Sequence, residues 1–221
     1  TFWEDQVDIE SVYKTCPRVV VDVVDGARNL MGGGTDATST LSVTDYRGTT
    51  PLTVISYPFG VERVADFDGE VYRIPHELMQ NRDLLVREQM ECYKLKPRRA
   101  KPFIEGVRFA ERYDDFGDTM RRRIDALRSH VKSYTRQAGS ISQMMMKVVM
   151  ESCDVFVTKR SRPIHYHDYL AASQIIADMG GRITDLDGYP IPGDREHVNG
   201  LIVASREETY STFMEALAAQ E

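Results

Sequence analysis

Apolar positions along this chain change their period near residue 100. Before that point they fall in short β-type runs. PRVVVDVV (17–24) is β-branched and closes on Asp25-Gly26, the pattern of a buried strand that ends in a turn. TLSVTDYRGTTPLTVISY (40–57) predicts two short strands about the Arg47-Gly48 turn, and VERVADFDGEVYRI (61–74) predicts a hairpin with Asp68-Gly69 at its tip. The first half is therefore expected to be largely antiparallel sheet.

After Pro102 strand and helix patterns alternate. FIEGVRFA (103–110) is strand-like, and Asp118 is placed to cap a helix, TMRRRIDALRSHV, whose Met120, Ile124, Leu127 and Val131 share one face. There follow a short strand near 132–137, a helix from Ser140 to about Cys153, the strand DVFVTK and a helix opening at Asp168. GRITDLDG, the strand LIVAS (201–205) and a last helix with Ser205 and Glu208 in capping-box spacing complete the chain. Such alternation signals an α/β layer, so the fold class is layered α/β with two lobes, 1–100 and 101–221. HELMQNRDLLVREQMECYKL (76–95) sets Leu78, Leu84, Leu85 and Met90 near one side of a helix, a candidate cover for the first sheet.

A 221-residue chain with 42% hydrophobic residues can bury a substantial core. The net charge is −6, so the basic clusters KPRRAK (96–101), RRR (121–123) and KRSR (159–162) read as solvated faces, and no nucleic-acid partner is expected. Cys16, Cys92 and Cys153 are odd in number and lack C-x-x-C spacing, which points to free thiols in a reducing compartment. No apolar run has the roughly 18 residues of a membrane span, and TFWEDQVDIE lacks the basic start and apolar core of a signal peptide. The expectation is a cytoplasmic protein with no membrane partner.

Three stretches carry candidate chemistry. In the first, Asp22 at a strand end and Asp25 in the following turn can aim oxygens at one point, as hard cations such as Mg²⁺ require. A helix starting at Gly26 would turn the free N–H groups of Gly26 and Ala27 toward the same point, where they suit a phosphate. The competing reading is a strand, an Asp-Gly turn and a surface acid. In the second, RQAGSISQMMMKVVMESCDVFV (136–157), Gly139-Ser140 opens a helix: Ser140 is either its N-cap or a substrate contact, and the methionines are packing. In the third, HYHDYLAASQIIADMGGRITDLDGYPI (165–191), Asp168 stands where an N-cap belongs and Gly180-Gly181 stops the helix. His165 and His167 are candidate ligands without a cysteine or a third histidine nearby.

Taken in order, VVVDVVDGARN, the Gly-Ser helix start and HDYLAA…ADMGGRITDLDG resemble the inositol monophosphatase superfamily of Mg²⁺-dependent, lithium-sensitive phosphatases. Its usual motifs are D-P-I-D-G-T, G-S-A-A and W-D-x-A-A…E-A-G-G, and the resemblance covers most of 17–30 and 101–205. It implies an αβαβα sandwich and two or three Mg²⁺ ions held by Asp22, Asp25, Asp168 and the Val24 carbonyl. It also implies phosphate on the backbone of Gly26 and Ala27, and hydrolysis of a small phosphorylated metabolite such as an inositol, sugar or nucleotide monoester.

The departures shape the expectation too. The threonine that orients the attacking water is Ala27 here, the proline is Val23, and the tryptophan before the last aspartate is His167. The family's G-E-E motif has no counterpart; Glu4 and Asp5 in FWEDQ are candidates for the missing ligand, or simply a solvated terminus. The family's first two helices would lie upstream of this chain, so the N-terminal helical layer is expected to be reduced, with a homodimer or the 76–95 segment covering the sheet. Shortly before the last motif, Lys159, Arg160, Ser161 and Arg162 replace an acidic substrate contact. If Arg160 and Arg162 face the cleft, they fit a second phosphate. Loss of the water-orienting pair leaves a rival reading, a non-catalytic relative that binds a phosphorylated ligand or partner.

Overall fold

A computed structural model describes residues 18–25, 31, 37–45, 52–57, 62–75, 90–97, 99, 108–112, 116–137, 140–150, 152–191 and 197–220. The β-branched first half forms an antiparallel meander in the order β1 (Arg18–Asp25), β2 (Thr38–Thr44), β3 (Leu52–Ser56), β4 (Glu62–Phe67) and β5 (Glu70–Pro75). As the Asp-Gly signal requires, Asp68 and Gly69 both take positive φ, 52° and 82°, at the β4–β5 tip.

The second half builds β6 (Arg108–Arg112), α1 (Asp118–Leu127), β7 (Ser133–Gln137), α2 (Ile141–Val149) and β8 (Val155–His165). It ends with α3 (Tyr166–Asp178), β9 (Arg182–Thr184), β10 (His197–Ala204) and α4 (Glu207–Ala218). The strand order is β7-β6-β8-β10-β9, parallel among the first three and antiparallel among the last three.

Two cores define the layers. Ile55, Val64 and Val71 of the first sheet, Met144–Met146 of α2, Ile175 and Ile176 of α3, and Phe156, Leu201 and Val203 of the second sheet form one buried cluster. Ile124, Leu127, Val155, Val157, Ile202, Phe213 and Leu217 form another, on the far face of the second sheet beneath α1 and α4. The order is sheet, α2 and α3, sheet, α1 and α4. Because α2 lies between two sheets it is apolar around most of its circumference, which accounts for three consecutive buried methionines. On the outer face of the first sheet, Met90 packs on Ala65, Tyr72 and Ile74, while Val19, Val21 and Val23 of β1 are exposed: the strand expected to be buried is an edge strand, covered on one face only. The rest of the proposed 76–95 cover, up to residue 89, lies outside the described residues.

Several helix starts differ from the sequence expectation. Asp118 is the first residue of α1 and Gly117 its N-cap; α4 begins after Arg206 with no side-chain cap, so Ser205 and Glu208 do not form a capping box. The helix expected to run to Cys153 ends at Val149, and β8 continues to His165, well past DVFVTK. Of the strand expected over 103–110 only residues 108–110 are described, and β6 runs on to Arg112. Gly180, with φ of 73°, ends α3 as expected.

One buried acid joins the two halves. Asp66 on β4 is fully buried; its Oδ1 accepts from Gly69 N at 3.0 Å, and its Oδ2 has no hydrogen-bond donor among the described residues. Burial and the neighbouring Asp178 carboxyl at the end of α3 hold Asp66 well above the usual carboxylate range, and Asp68 adds to the effect. The folded state thus binds the Asp66 proton more tightly than the unfolded chain, so stability falls as pH rises between the two pKa values. Asp66→Asn keeps the acceptor for Gly69 and supplies an N–H for Asp178. It is expected to raise stability by about 1–3 kcal/mol at pH 8 and by less at pH 5. Urea denaturation at the two pH values checks this, and an equal change at both would contradict it.

Candidate metal centre

The chain forms its candidate site where the end of β1 meets the starts of α2 and α3. Alternation along a strand would send Asp22 and Asp25, an odd number of residues apart, to opposite faces. The register corrects this: Asp22 pairs with Thr40 and Asp25 with Thr38, so a bulge at residues 23–24 absorbs the extra residue. Val24 N–H donates to Asp22 Oδ1 at 3.1 Å, and Ser39 Oγ donates to the Val23 carbonyl at 2.6 Å, which stitches the bulge.

Asp25 is buried, and its Oδ2 accepts from the backbone N–H of Ser142 at 2.9 Å. Ser142 is the second residue of α2, where helix N–H groups lack intrahelical partners, so the carboxylate serves as a distant helix cap. Ser142 Oγ in turn donates to the Asp168 carbonyl at 2.7 Å and ties α2 to α3. Ser140 proves to be the N-cap of α2: its Oγ accepts from Gln143 N at 3.0 Å and lies 3.2 Å from Thr38 Oγ1. Its side chain is 1% exposed.

The third aspartate is not the N-cap expected from the sequence. α3 starts at Tyr166 after His165, and Asp168 is its third residue, its Oδ2 accepting from His165 N at 3.2 Å. The carboxylate reaches back over the first turn, as the acidic member of a capping box does. Its Oδ1 lies 3.5 Å from His167 Nε2, and its Oδ2 lies 3.9 Å from Arg160 Nη1. One ligand atom each from Asp22, His167 and Asp168 fall within 4.8 Å of one another.

These surroundings resist negative charge. Burial pushes Asp25 up to about 6 against the pull of the Ser142 hydrogen bonds, with Asp168 and Asp22 adding to the rise. Burial raises Asp22 as well, opposed by the Val24 N–H and reinforced by Asp168. Three carboxylates gathered at low exposure are the donor set of a hard cation, whose charge would relieve this cost.

Of the residues singled out from sequence, Asp22, His167 and Asp168 bring ligand atoms together, Asp25 lies near enough to feel the charges of Asp22 and Asp168, and Arg160 stands beside Asp168. Val24 lies in the bulge, and its N–H is committed to Asp22. Arg162 is exposed, and Lys159 lines a separate cavity of about 480 Å³ with Asp185, Asp187 and His197. Glu4, Asp5, Gly26 and Ala27 lie outside the described residues. Sequence reading missed Ser142 and Thr38. The signal for Ser142 was its place two residues after a capping serine, where a free N–H had to find an acceptor.

The described elements stack in an αβαβ layering, with two aspartates on a bulged strand and a third in the first turn of a facing helix. Residues 3–221 match the inositol monophosphatase family, and the chain belongs to it. Solved structures of similar fold include an inositol monophosphatase from Zymomonas mobilis, with 18% identity, TM-score 0.65, and coverage of 92% of this chain and 70% of that one. A Pyrococcus horikoshii protein with similarities to inositol-1 monophosphatase has 21% identity, TM-score 0.68, and coverage of 91% and 71%. Inositol monophosphatase II from Staphylococcus aureus has 13% identity, TM-score 0.70, and coverage of 93% and 69%; SaIMPase-II holds inositol monophosphate in one structure and 2′AMP in another. No curated protein matches this chain. Among the described residues no helix is long and apolar enough to cross a membrane.

Proposed function

We propose that this chain is a Mg²⁺-dependent phosphatase acting on a small phosphate monoester of an inositol, a sugar or a nucleotide. The observation that carries the reading is the meeting of Asp22 and Asp168, whose oxygens lie within 4.8 Å together with a His167 nitrogen, beside the buried Asp25 that the β1 bulge turns to the same side and that feels both charges. Two or three Mg²⁺ ions, when bound, would offset the charge of the ester and acidify a water near phosphorus. The chain's own part is to hold the three carboxylates: Ser142 fixes Asp25, and His165 N–H fixes Asp168. Gly26 and Ala27 follow the bulge directly and would offer backbone N–H groups to the phosphate. Arg160, beside Asp168, would bind a second anionic group of the substrate. The ligands held by the Staphylococcus aureus relative, an inositol phosphate and a nucleotide, support this substrate range. The reading includes lithium sensitivity, a cytoplasmic location and a homodimer, the last supported by the exposed valines of β1.

A second reading rests on Ala27, which cannot hydrogen-bond a water as threonine does; general-base help of that kind is typically worth ~10²–10⁴ in rate. On that reading the site binds a phosphorylated ligand without turning it over. Phosphate release from a panel of monoesters, with Mg²⁺ or with EDTA, separates the two. The phosphatase reading expects Mg²⁺-dependent release that lithium inhibits and that Asp168→Asn abolishes. Release at background for every ester, with Asp168→Asn equal to the parent, leaves the binding reading in possession.

A further inference from the structure

The family motif has tryptophan before its last aspartate, and this chain has His167 there. Indole offers no in-plane lone pair to a cation; imidazole does. A ring nitrogen of His167 and one oxygen each of Asp22 and Asp168 lie within 4.8 Å of one another, and Nε2 is 3.5 Å from Asp168 Oδ1. The 3.5 Å separation suits two atoms that share one ion roughly 2.0–2.2 Å from each, and the 4.8 Å bound puts the Asp22 oxygen within a small side-chain shift of the same ion. The ring is held: His165 stacks on it with centroids 5.4 Å apart and planes 4° from parallel. The His167 side chain is 50% exposed, so the nitrogen stands at the open side of the cluster, where an ion from solvent would arrive.

We infer that His167 is a metal ligand, completing with Asp22 and Asp168 an N,O,O site that prefers a first-row dication such as Mn²⁺, Co²⁺ or Zn²⁺ to Mg²⁺. The chemical reason is softness. Carboxylate and water suit Mg²⁺, while an imidazole nitrogen favours the transition metals in the order of their nitrogen affinity. The inference rests on the metal-centre reading above and deepens it. Its rival is that His167 and Arg160, both near Asp168, act as built-in counter-charges and no ion enters.

The test is Mn²⁺ binding followed by electron paramagnetic resonance, with detection of coupling to ¹⁴N, and Mg²⁺ competition as the second readout. The parent is expected to bind Mn²⁺ at least about tenfold more tightly than Mg²⁺ and to show imidazole coupling. His167→Gln and His167→Trp, with folding confirmed by circular dichroism, should lose the coupling and weaken Mn²⁺ by about 10–100-fold while leaving Mg²⁺ within about twofold. His165→Gln should keep the coupling. Mn²⁺ bound by the parent without ¹⁴N coupling, or undiminished in both His167 variants, overturns the inference and leaves the Mg²⁺ reading standing. A folded parent that binds neither Mn²⁺ nor Mg²⁺ overturns both and favours the counter-charge rival.

Discussion

Asp25→Asn is expected to lower phosphate release by at least about 10³-fold and, in the same molecule, to raise stability in EDTA. On the proposed phosphatase reading, the rate effect follows from removing one carboxylate that would hold a cation, since cation stabilisation of a phosphoryl transition state is worth several kcal/mol. The stability effect follows from the pKa. Asp25 is pushed up to about 6 from an ordinary 3.8, chiefly by burial. The folded, cation-free chain therefore holds the proton more tightly than the unfolded chain. Stability is highest below about pH 4 with respect to this group, falls as pH rises toward 6, and stays low above it. Asparagine has nothing to ionise and still accepts the Ser142 N–H, so at pH 7 the variant should gain on the order of 2–3 kcal/mol. A rate within tenfold of the parent would remove Asp25 from the site; a loss of stability in EDTA would refute the account of its burial.

Phe156→Ala should cost about 3–5 kcal/mol, a fall in Tm on the order of 10 °C for a chain this size. Phe156 is fully buried on β8, paired with Val203 of β10 on one side and Ala110 of β6 on the other. It lies in the cluster shared by both sheets, α2 and α3. The cavity would open in the layer that aligns the starts of α2 and α3. Val23→Thr, at a position 71% exposed, should shift stability by less than about 0.5 kcal/mol. Thermal denaturation of the two variants decides; a Phe156→Ala Tm within 2–3 °C of the parent contradicts the packing argument.

Local chemistry made most elements legible. The Asp68-Gly69 turn and the Gly180 stop each leave little choice of backbone and appear as expected; the β-branched run at 17–24 forms the strand expected of it, but at the sheet edge with Val19, Val21 and Val23 exposed and not buried. Helix starts were less legible because several residues can satisfy the same N–H groups. Asp168 caps from the third position instead of the first, and α4 starts without the box its sequence offers. The bulge was not legible at all. Alternation along β1 says nothing about how β2 registers against it, and only that register puts Asp22 and Asp25 on one side. The pair Asp66 and Asp178 was equally hidden, since nothing local joins a hairpin to the far end of a later helix.

The hydrogen bond from Ser142 to Asp25 joins residues 117 positions apart. Closing so long a loop is entropically costly and is compensated only when both sheets have found α2 and α3. A chain still emerging from the ribosome therefore carries Asp22 and Asp25 for most of its synthesis without a partner to complete the site. On the proposed metal-centre reading, cation binding would report on finished folding.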